Sequence, residues 1–179
     1  MKLREGDLEF NFTDAINAIE FDEMRKKNKH LPNYHGIGEM HRVDFIVEVE
    51  NAILFIEVKD PDNPKAQKQG LESFFNDLDT GKLSDTFASK FIDSFLFRWA
   101  ENELEKPIHY VNLVTFDEAQ TVVLSDEITK KLPPSGLRSK RWKKSIYENC
   151  QVFNLETWNE NFPQWQVTRI SQQSQEGAN

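Results

Sequence analysis

Two neighbouring segments of the chain are runs of hydrophobic positions broken by single charged positions, and this pattern predicts two β-strands. The segments are residues 43–49 and 53–59. Successive side chains of a strand point to opposite faces, so each segment has one apolar face and one face that includes charged residues. Only residues 50–52 lie between the segments, which is short enough for a tight turn. We therefore expect a β-hairpin.

Charged residues interrupt these apolar segments, and three of them, Asp44, Glu57 and Lys59, need an explanation. A two-residue turn at positions 50–51 places Asp44 opposite Glu57, and a turn at 51–52 places it opposite Lys59. In both registers the three side chains share one face, whereas a one-residue slip moves Asp44 to the other face. A charge within a buried strand is costly unless it is paired or binds a metal. The hairpin therefore predicts a functional site.

Other segments show helical or strand-like spacing. Apolar positions predict a first helix over residues 13–27 and two further helices within residues 65–103, the first of which ends near Gly81. Further strands are expected at 109–116, 122–125 and 150–155, and the polar residues 171–179 are expected to form a disordered tail. The residues expected to cap the first helix and to form its buried face are Thr13 or Asp14 and Ala15, Ile16 and Ile19.

Length and composition favour one globular domain over residues 1–170. The chain has 179 residues, a single cysteine and a net charge of −8. One cysteine excludes an internal disulfide, and neither a leader segment nor a membrane-spanning run is visible, so we expect a cytoplasmic protein with no membrane partner. The negative charge opposes tight binding of the whole surface to a nucleic acid.

Two groups of basic residues are candidates for phosphate contacts. Lys90 lies on a polar stripe of the longer predicted helix, and it can contact phosphate if this stripe borders the hairpin. The second group is a basic segment in which cations surround one tryptophan, a combination that suits phosphate contacts with base stacking. A solvated loop with its Trp packed into the core is the alternative. The basic segment consists of Lys140, Arg141, Trp142, Lys143 and Lys144.

Two carboxylates beside an amine suit a hard divalent cation, because Mg²⁺ and Mn²⁺ prefer oxygen ligands. Asp44 and Glu57 are the expected ligands, with the carbonyl of Val58 as a third. A bound divalent cation acidifies water and neutralises charge on a phosphodiester. Lys59 is expected to orient that water or to stabilise the transition state.

The sequence also resembles a known superfamily of nucleases. Asp44, twelve intervening residues and then Glu57-Val58-Lys59 are similar to the PD-(D/E)XK motif of restriction-endonuclease-like proteins, with Val43 where the motif has Pro. The resemblance implies an α/β fold of the αβββαβ type, a central mixed β-sheet flanked by helices. It also implies an acidic ligand on the first helix, for which Glu20 is the candidate and Asp22 and Glu23 are less favoured.

Together these features predict a Mg²⁺- or Mn²⁺-dependent endonuclease, with DNA favoured over RNA. The resemblance implies a role in restriction, defence or repair, acting alone, as a homodimer or with a protein partner. The alternative is a non-catalytic subunit of the same fold that binds a protein partner. Carboxylates that face an open cleft favour catalysis, whereas carboxylates tied into internal salt bridges favour the binding subunit.

Overall fold

The computed structural model describes residues 1–23, 26–31 and 33–172. Within them lie eight strands, four α-helices and a short 3-10 helix at Lys26–Asn28. The strands are β1 (Lys2–Glu5), β2 (Leu8–Asn11), β3 (Asn17–Glu20), β4 (Phe45–Glu48), β5 (Ile53–Lys59), β6 (Ile108–Val114), β7 (Asn149–Phe153) and β8 (Val167–Arg169). The helices are α1 (Lys68–Asp79), α2 (Lys82–Ala100), α3 (Glu118–Lys131) and α4 (Leu155–Asn161).

The central sheet is mixed and contains five strands in the order β3-β4-β5-β6-β7. Strands β3, β4 and β5 are antiparallel neighbours, whereas β5, β6 and β7 are parallel. Parallel neighbours need long crossovers, which α1 with α2 and then α3 provide. The expected α/β class with a mixed sheet flanked by helices is confirmed.

Each face of the central sheet packs on its own hydrophobic core. Helices α2 and α3 cover one face, where Phe55 and Tyr110 of the sheet pack with Phe87 and Phe91 of α2. The other face packs against a small antiparallel sheet of order β1-β2-β8 and against α4, whose Trp158 is fully buried. Burying each such side chain contributes about 1.5–3 kcal/mol. The five-stranded sheet is therefore held rigidly from both sides.

The hairpin of β4 and β5 has one of the two expected registers. Phe45 pairs with Ile56 and Glu48 with Ile53. The backbone N–H of Val49 donates to the carbonyl of Ala52 at 3.0 Å, which leaves a two-residue turn at positions 50–51. This is the register that places Asp44 opposite Glu57, and the shared face of the two carboxylates follows from it.

The helix expected over residues 13–27 is wrong, because this segment contains strand β3 and the short 3-10 helix. Residues Asn17–Glu20 pair antiparallel with β4, and Ile16, expected in the buried stripe, is exposed. The open edge of β4 supplies hydrogen-bonding partners that an isolated sequence pattern does not reveal, and tertiary context overrides the helical spacing. The N-terminal element of the expected αβββαβ order is therefore not a helix.

The strand expected at residues 122–125 is also wrong, because these residues lie within α3. The side chain of Asp117 accepts a hydrogen bond from the Ala119 N–H at 2.8 Å and caps the helix. Leu124 and Ile128 are buried at a spacing of four residues, whereas the β-branched neighbours of Leu124 are exposed. A capped amphipathic helix therefore forms despite the Val-Val pair.

The remaining elements agree closely with the sequence. α1 ends beside Gly81, whose φ of 74° lies in the left-handed region that glycine favours, and α2 starts directly after it. β6 is confirmed, and β7 ends at Phe153 because Asn154 caps α4 through a capping box. Ser171, at the start of the expected tail, bonds to Asp7 through N–H and hydroxyl. Residues 173–179 of that tail lie outside the described residues.

Across the described ranges, every helix is too short or too polar to cross a lipid bilayer.

Candidate active site

Asp44 and Glu57 meet on the face of the central sheet that α2 covers. The side chain of Glu57 is completely buried, and Asp44 is 4% exposed. The register of the hairpin brings the two carboxylates together, and apolar residues of the core beneath α2 surround them. Charges in such a site need partners, because burial without a partner is costly.

Asp44 is oriented by the backbone of the neighbouring strand. Its Oδ2 accepts a hydrogen bond from the Val58 N–H at 2.6 Å, just beyond the last ladder pair of β4 and β5. The N–H and C=O of a strand residue point to the same side, so the Val58 carbonyl also faces this edge. Asp44 and the Val58 carbonyl, two of the expected ligands, are therefore close neighbours.

Two lysine ammonium groups contact the carboxylates. Nζ of Lys90 lies 2.6 and 2.7 Å from the two oxygens of Glu57 and 3.2 Å from Oδ1 of Asp44. Nζ of Lys59 lies 2.6 Å from Oε1 of Glu57. The side chain of Lys59 is 32% exposed and that of Lys90 is 17% exposed. Lys59 thus lies at the solvent side of the carboxylate pair, and Lys90 lies between the carboxylates.

Helix α2 is fixed to the segment that carries Asp44. The hydroxyl of Ser94 accepts a hydrogen bond from the Val43 N–H at 3.0 Å, and Ser94 is fully buried. The preceding residue of the helix, Asp93, accepts a hydrogen bond from the His41 N–H at 2.8 Å. The position of Lys90 relative to Asp44 is therefore set by these two contacts as well as by the apolar core.

Burial dominates the electrostatics of the pair. Burial and repulsion by Asp44, opposed by Lys59 and Lys90, together raise the pKa of the Glu57 carboxyl to about 7. Burial acts to lower the pKa of Lys90, but attraction by Glu57 and Asp44 is stronger, so its pKa is raised and the ammonium stays charged. Lys90 and Lys59 thus balance the charge of the two carboxylates together.

Two further acidic residues, Glu5 and Asp22, border the site, and the sequence pattern does not single out Glu5. Burial, together with the charges of Asp44 and Asp22, raises the pKa of Glu5 to about 7. The pKa of Asp22 is raised by burial and then by Asp44. Glu5 ends β1, which is far from the hairpin in sequence. No local pattern predicts this proximity, because it depends on the small sheet packing under β3 and β4.

Glu20, the expected acidic ligand, lies on strand β3 opposite Phe45. Cross-strand partners share a face, so Glu20 is on the face of Phe45, whereas Ile19 pairs with Ile46 on the carboxylate face. No cluster of three or more acidic, His or Cys side chains with metal-binding geometry occurs among residues 1–23, 26–31 and 33–172. The close oxygen pair of the site is therefore Asp44 and Glu57.

The basic segment, residues 140–144, lies near the other end of the central sheet. The N–H of Glu148 donates to the carbonyl of Ile108 at the start of β6, and Lys144 donates to the Leu104 carbonyl at 3.1 Å. Ile53 pairs with Ile108, whereas Lys59 pairs with Val114. At about 3.3 Å per residue, roughly 20 Å separate the two ends. Trp142 is half-buried and the four cations of the segment are exposed.

Buried contacts hold the end of β5 beyond Lys59. The guanidinium of Arg169 donates to both oxygens of Asp60, at 2.8 and 3.0 Å, and the Thr115 hydroxyl donates to Asp60 at 2.6 Å. Arg169 is buried. The C-terminal strand β8 therefore fixes the point at which the chain leaves the site.

Comparison of the chain with protein-family models, with curated proteins and with solved structures finds no match. The function is therefore argued from the site alone.

The donor set fits a hard divalent cation. Two carboxylates converge on one position, which the Lys90 ammonium now holds at 2.6 to 3.2 Å from three oxygens. Carboxylate and carbonyl oxygens are the ligands that Mg²⁺ and Mn²⁺ prefer, and Mg²⁺ is commonly held by only one or two carboxylates with water and phosphate. Asp44, Glu57 and the Val58 carbonyl meet this requirement.

Proposed function

We propose that the protein is a nuclease that uses Mg²⁺ or Mn²⁺ to hydrolyse phosphodiester bonds, with DNA favoured over RNA. The observation that carries the proposal is the convergence of Asp44 and Glu57 on one cation position with Lys59 beside them. This arrangement combines oxygen ligands with a lysine on the solvent side, which are the components that hydrolysis of a charged backbone needs.

Each side chain has a distinct role in the proposed reaction. Asp44 and Glu57 hold the divalent cation, with the Val58 carbonyl as a third ligand, and that cation supplies an acidified water and neutralises phosphate charge. Lys59, whose ammonium is partly exposed, orients the attacking water or stabilises the charge that develops on phosphorus oxygens. Glu20 is assigned no place among the ligands, because its strand position lies on the opposite face.

A second candidate function is a non-catalytic subunit that binds a protein partner. The observation that favours it is the pairing of both Glu57 oxygens and both Asp44 oxygens inside the protein. An internally neutralised site needs no metal. The negative net charge of −8 also suits a basic protein partner better than a nucleic acid.

Cleavage assays distinguish the two functions. Purified protein is incubated with single- and double-stranded DNA and RNA in Mg²⁺, Mn²⁺ or EDTA, and Glu57→Ala is compared with the wild type. Glu72→Ala is the matched control, since Glu72 is an exposed residue of α1. The nuclease proposal predicts cleavage that requires metal, persists in Glu72→Ala and disappears in Glu57→Ala. Absence of cleavage with all substrates and metals favours the binding subunit.

A further inference from the structure

The ammonium of Lys90 occupies the position between the carboxylates. Its contacts with two oxygens of Glu57 and one of Asp44 match the three donors of an ammonium group. Lys59 differs, because its Nζ contacts Glu57 but not Asp44 among the two carboxylates, and its side chain is more exposed than that of Lys90. Lys90 is therefore the side chain that joins the two carboxylates into one site.

We infer that Lys90 is an internal counter-ion that a divalent cation must displace from Asp44 and Glu57, an inference that rests on the metal site of the proposed function. A cation bound by both carboxylates needs the oxygens that Lys90 now contacts. Two positive charges a few ångströms apart in a buried site repel each other strongly. The ammonium and the metal therefore exclude each other.

The exchange takes place by rotation of the Lys90 side chain and leaves the helix in place. Ser94 and Asp93 tie α2 to residues 41–43, and Phe87 and Phe91, on either side of Lys90 along the helix, are fully buried. The lysine stem is long and flexible, and the Lys90 side chain is 17% exposed, so a change of rotamer brings the ammonium to solvent. After exchange, the ammonium stays at the mouth of the site, where it can contact a substrate phosphate.

This exchange makes metal binding weaker than the carboxylates alone would allow. The apparent affinity is the intrinsic affinity multiplied by the fraction of molecules in which the carboxylates are free of Lys90. Substrate phosphate favours the displaced state because it offers the ammonium a new anionic partner. The proposal therefore couples metal loading to substrate binding through one side chain.

The test measures Mn²⁺ affinity by electron paramagnetic resonance of free Mn²⁺ in titrations of the whole chain. Wild type is compared with Lys90→Met, which keeps the stem and removes the charge. Lys82→Met, an exposed lysine of the same helix, controls for the loss of a distant charge. Lys59→Met controls for the loss of a charge that touches only Glu57 in this site.

The proposal predicts that Lys90→Met binds Mn²⁺ about tenfold or more tightly than the wild type, because the competing ammonium is gone. Lys59→Met is expected to gain clearly less, and Lys82→Met to match the wild type. Equal gains in Lys90→Met and Lys59→Met, or none in Lys90→Met, overturn the exchange. The Glu57→Ala variant separates failure of the exchange from failure of the proposed function. If the wild type binds Mn²⁺ and Glu57→Ala does not, the metal site stands even when the exchange is overturned. If the wild type binds no Mn²⁺, the basis of the proposed nuclease is removed as well.

A measurement on the wild type covers the case in which Lys90→Met does not fold. In ¹⁵N-labelled protein, an ammonium held by three carboxylate oxygens exchanges slowly enough to give its own ¹H–¹⁵N signal. Titration with Mg²⁺ is expected to remove or shift this signal, with a midpoint that equals the Mg²⁺ binding constant measured by calorimetry. A signal that is unchanged at saturating Mg²⁺ overturns the exchange.

Discussion

At the scale of single residues, Glu57 is the centre of the site. It is fully buried, accepts hydrogen bonds from Lys59 and Lys90, and shares Lys90 with Asp44. Its burial is tolerated because the two lysine ammonium groups compensate for it. Each of the four side chains has a different exposure and different contacts, and these differences give each substitution a distinct expected result.

Lys59→Ala is expected to retain the fold and lose cleavage. Lys59 is one-third exposed and contacts one oxygen of Glu57, which keeps Lys90 as a partner, so the melting temperature is expected to change little. The rate of cleavage is expected to fall by about 10²-fold or more, because stabilisation of the transition-state charge is lost. Thermal unfolding and single-turnover cleavage measure the two effects, and a variant that cuts at the wild-type rate contradicts the role of Lys59.

His35 contributes a pH-dependent term to stability. It is buried, stacks on Phe97 with a ring separation of 3.8 Å and packs edge-on against Phe21. Within the part of the chain that the structure describes, neither ring nitrogen makes a hydrogen bond of standard geometry, and only a weak contact with the Ile37 backbone favours the charged form. Burial, together with the charge of Arg42, lowers the pKa of His35 to about 4. The folded protein therefore holds this imidazole neutral.

Because the folded pKa of His35 lies below its ordinary value of 6.5, its contribution is present above pH 6.5 and is lost as the pH falls toward 4. Between pH 7 and pH 5 the wild type is expected to lose about 2 kcal/mol more of its free energy of unfolding than His35→Phe does. Urea unfolding at both pH values measures this, with exposed His30→Phe as the control. Parallel losses in wild type and His35→Phe contradict the prediction.

At the scale of secondary-structure elements, β8 and β5 are coupled through one buried ion pair. Arg169 of β8 donates to both oxygens of Asp60, which directly follows β5. Asp60 also accepts from Thr115, which follows β6. The C-terminal strand therefore stabilises the end of β5 on which Lys59 lies.

Arg169→Ala is expected to lower the free energy of unfolding by about 3 kcal/mol, because it leaves Asp60 without its bidentate partner in a buried position. Arg169→Lys is expected to restore part of this, since a lysine keeps the charge but not the paired geometry. Chemical denaturation measures both, with exposed Arg138→Ala as the control. A loss in Arg169→Ala no larger than in Arg138→Ala contradicts the role of the ion pair.

The sequence reveals the elements whose partners are close along the chain. The β4–β5 hairpin follows from two short apolar runs and the short turn between them, and the shared face of Asp44 and Glu57 follows from the hairpin alone. β3 is missed because its strand state depends on the open edge of β4. α3 is missed because two valines mask a spacing that only burial of Leu124 and Ile128 makes clear.

The same limit applies to the site. A polar stripe in an otherwise apolar helix singles out Lys90 as a candidate, but its place between Asp44 and Glu57 depends on how α2 packs on the sheet. Glu5 leaves no trace in the sequence, because the packing of two sheets brings it near Asp44. Contacts between side chains from elements that are distant along the chain are therefore not predictable from the sequence alone.

At the scale of the whole molecule, charge is unevenly distributed. The chain carries a net charge of −8, yet the four cations of the basic segment are exposed. These cations make no ion pair with a carboxylate of residues 1–23, 26–31 or 33–172. A basic surface some 20 Å from the carboxylates suits a long polyanion that spans the sheet.

The double variant Arg141→Glu with Lys143→Glu is expected to bind a DNA duplex at least about tenfold more weakly than the wild type, and its affinity is expected to depend less steeply on salt. Lys68→Glu with Lys130→Glu is the control, because these exposed lysines lie on α1 and α3 and already pair with acidic neighbours. Fluorescence anisotropy in EDTA separates binding from cleavage. Equal losses in both double variants indicate an effect of net charge and contradict a specific role for the basic segment.

The most direct measurement of the central claim is anomalous X-ray diffraction from crystals of the protein soaked in Mn²⁺. The proposed account predicts a Mn²⁺ peak in contact with Asp44 and Glu57, with the Lys90 side chain turned away from both carboxylates. Crystals of Glu57→Ala are expected to lack this peak. A wild-type crystal at saturating Mn²⁺ with no peak there, and with Lys90 still bound to both carboxylates, contradicts the metal site and with it the proposed nuclease.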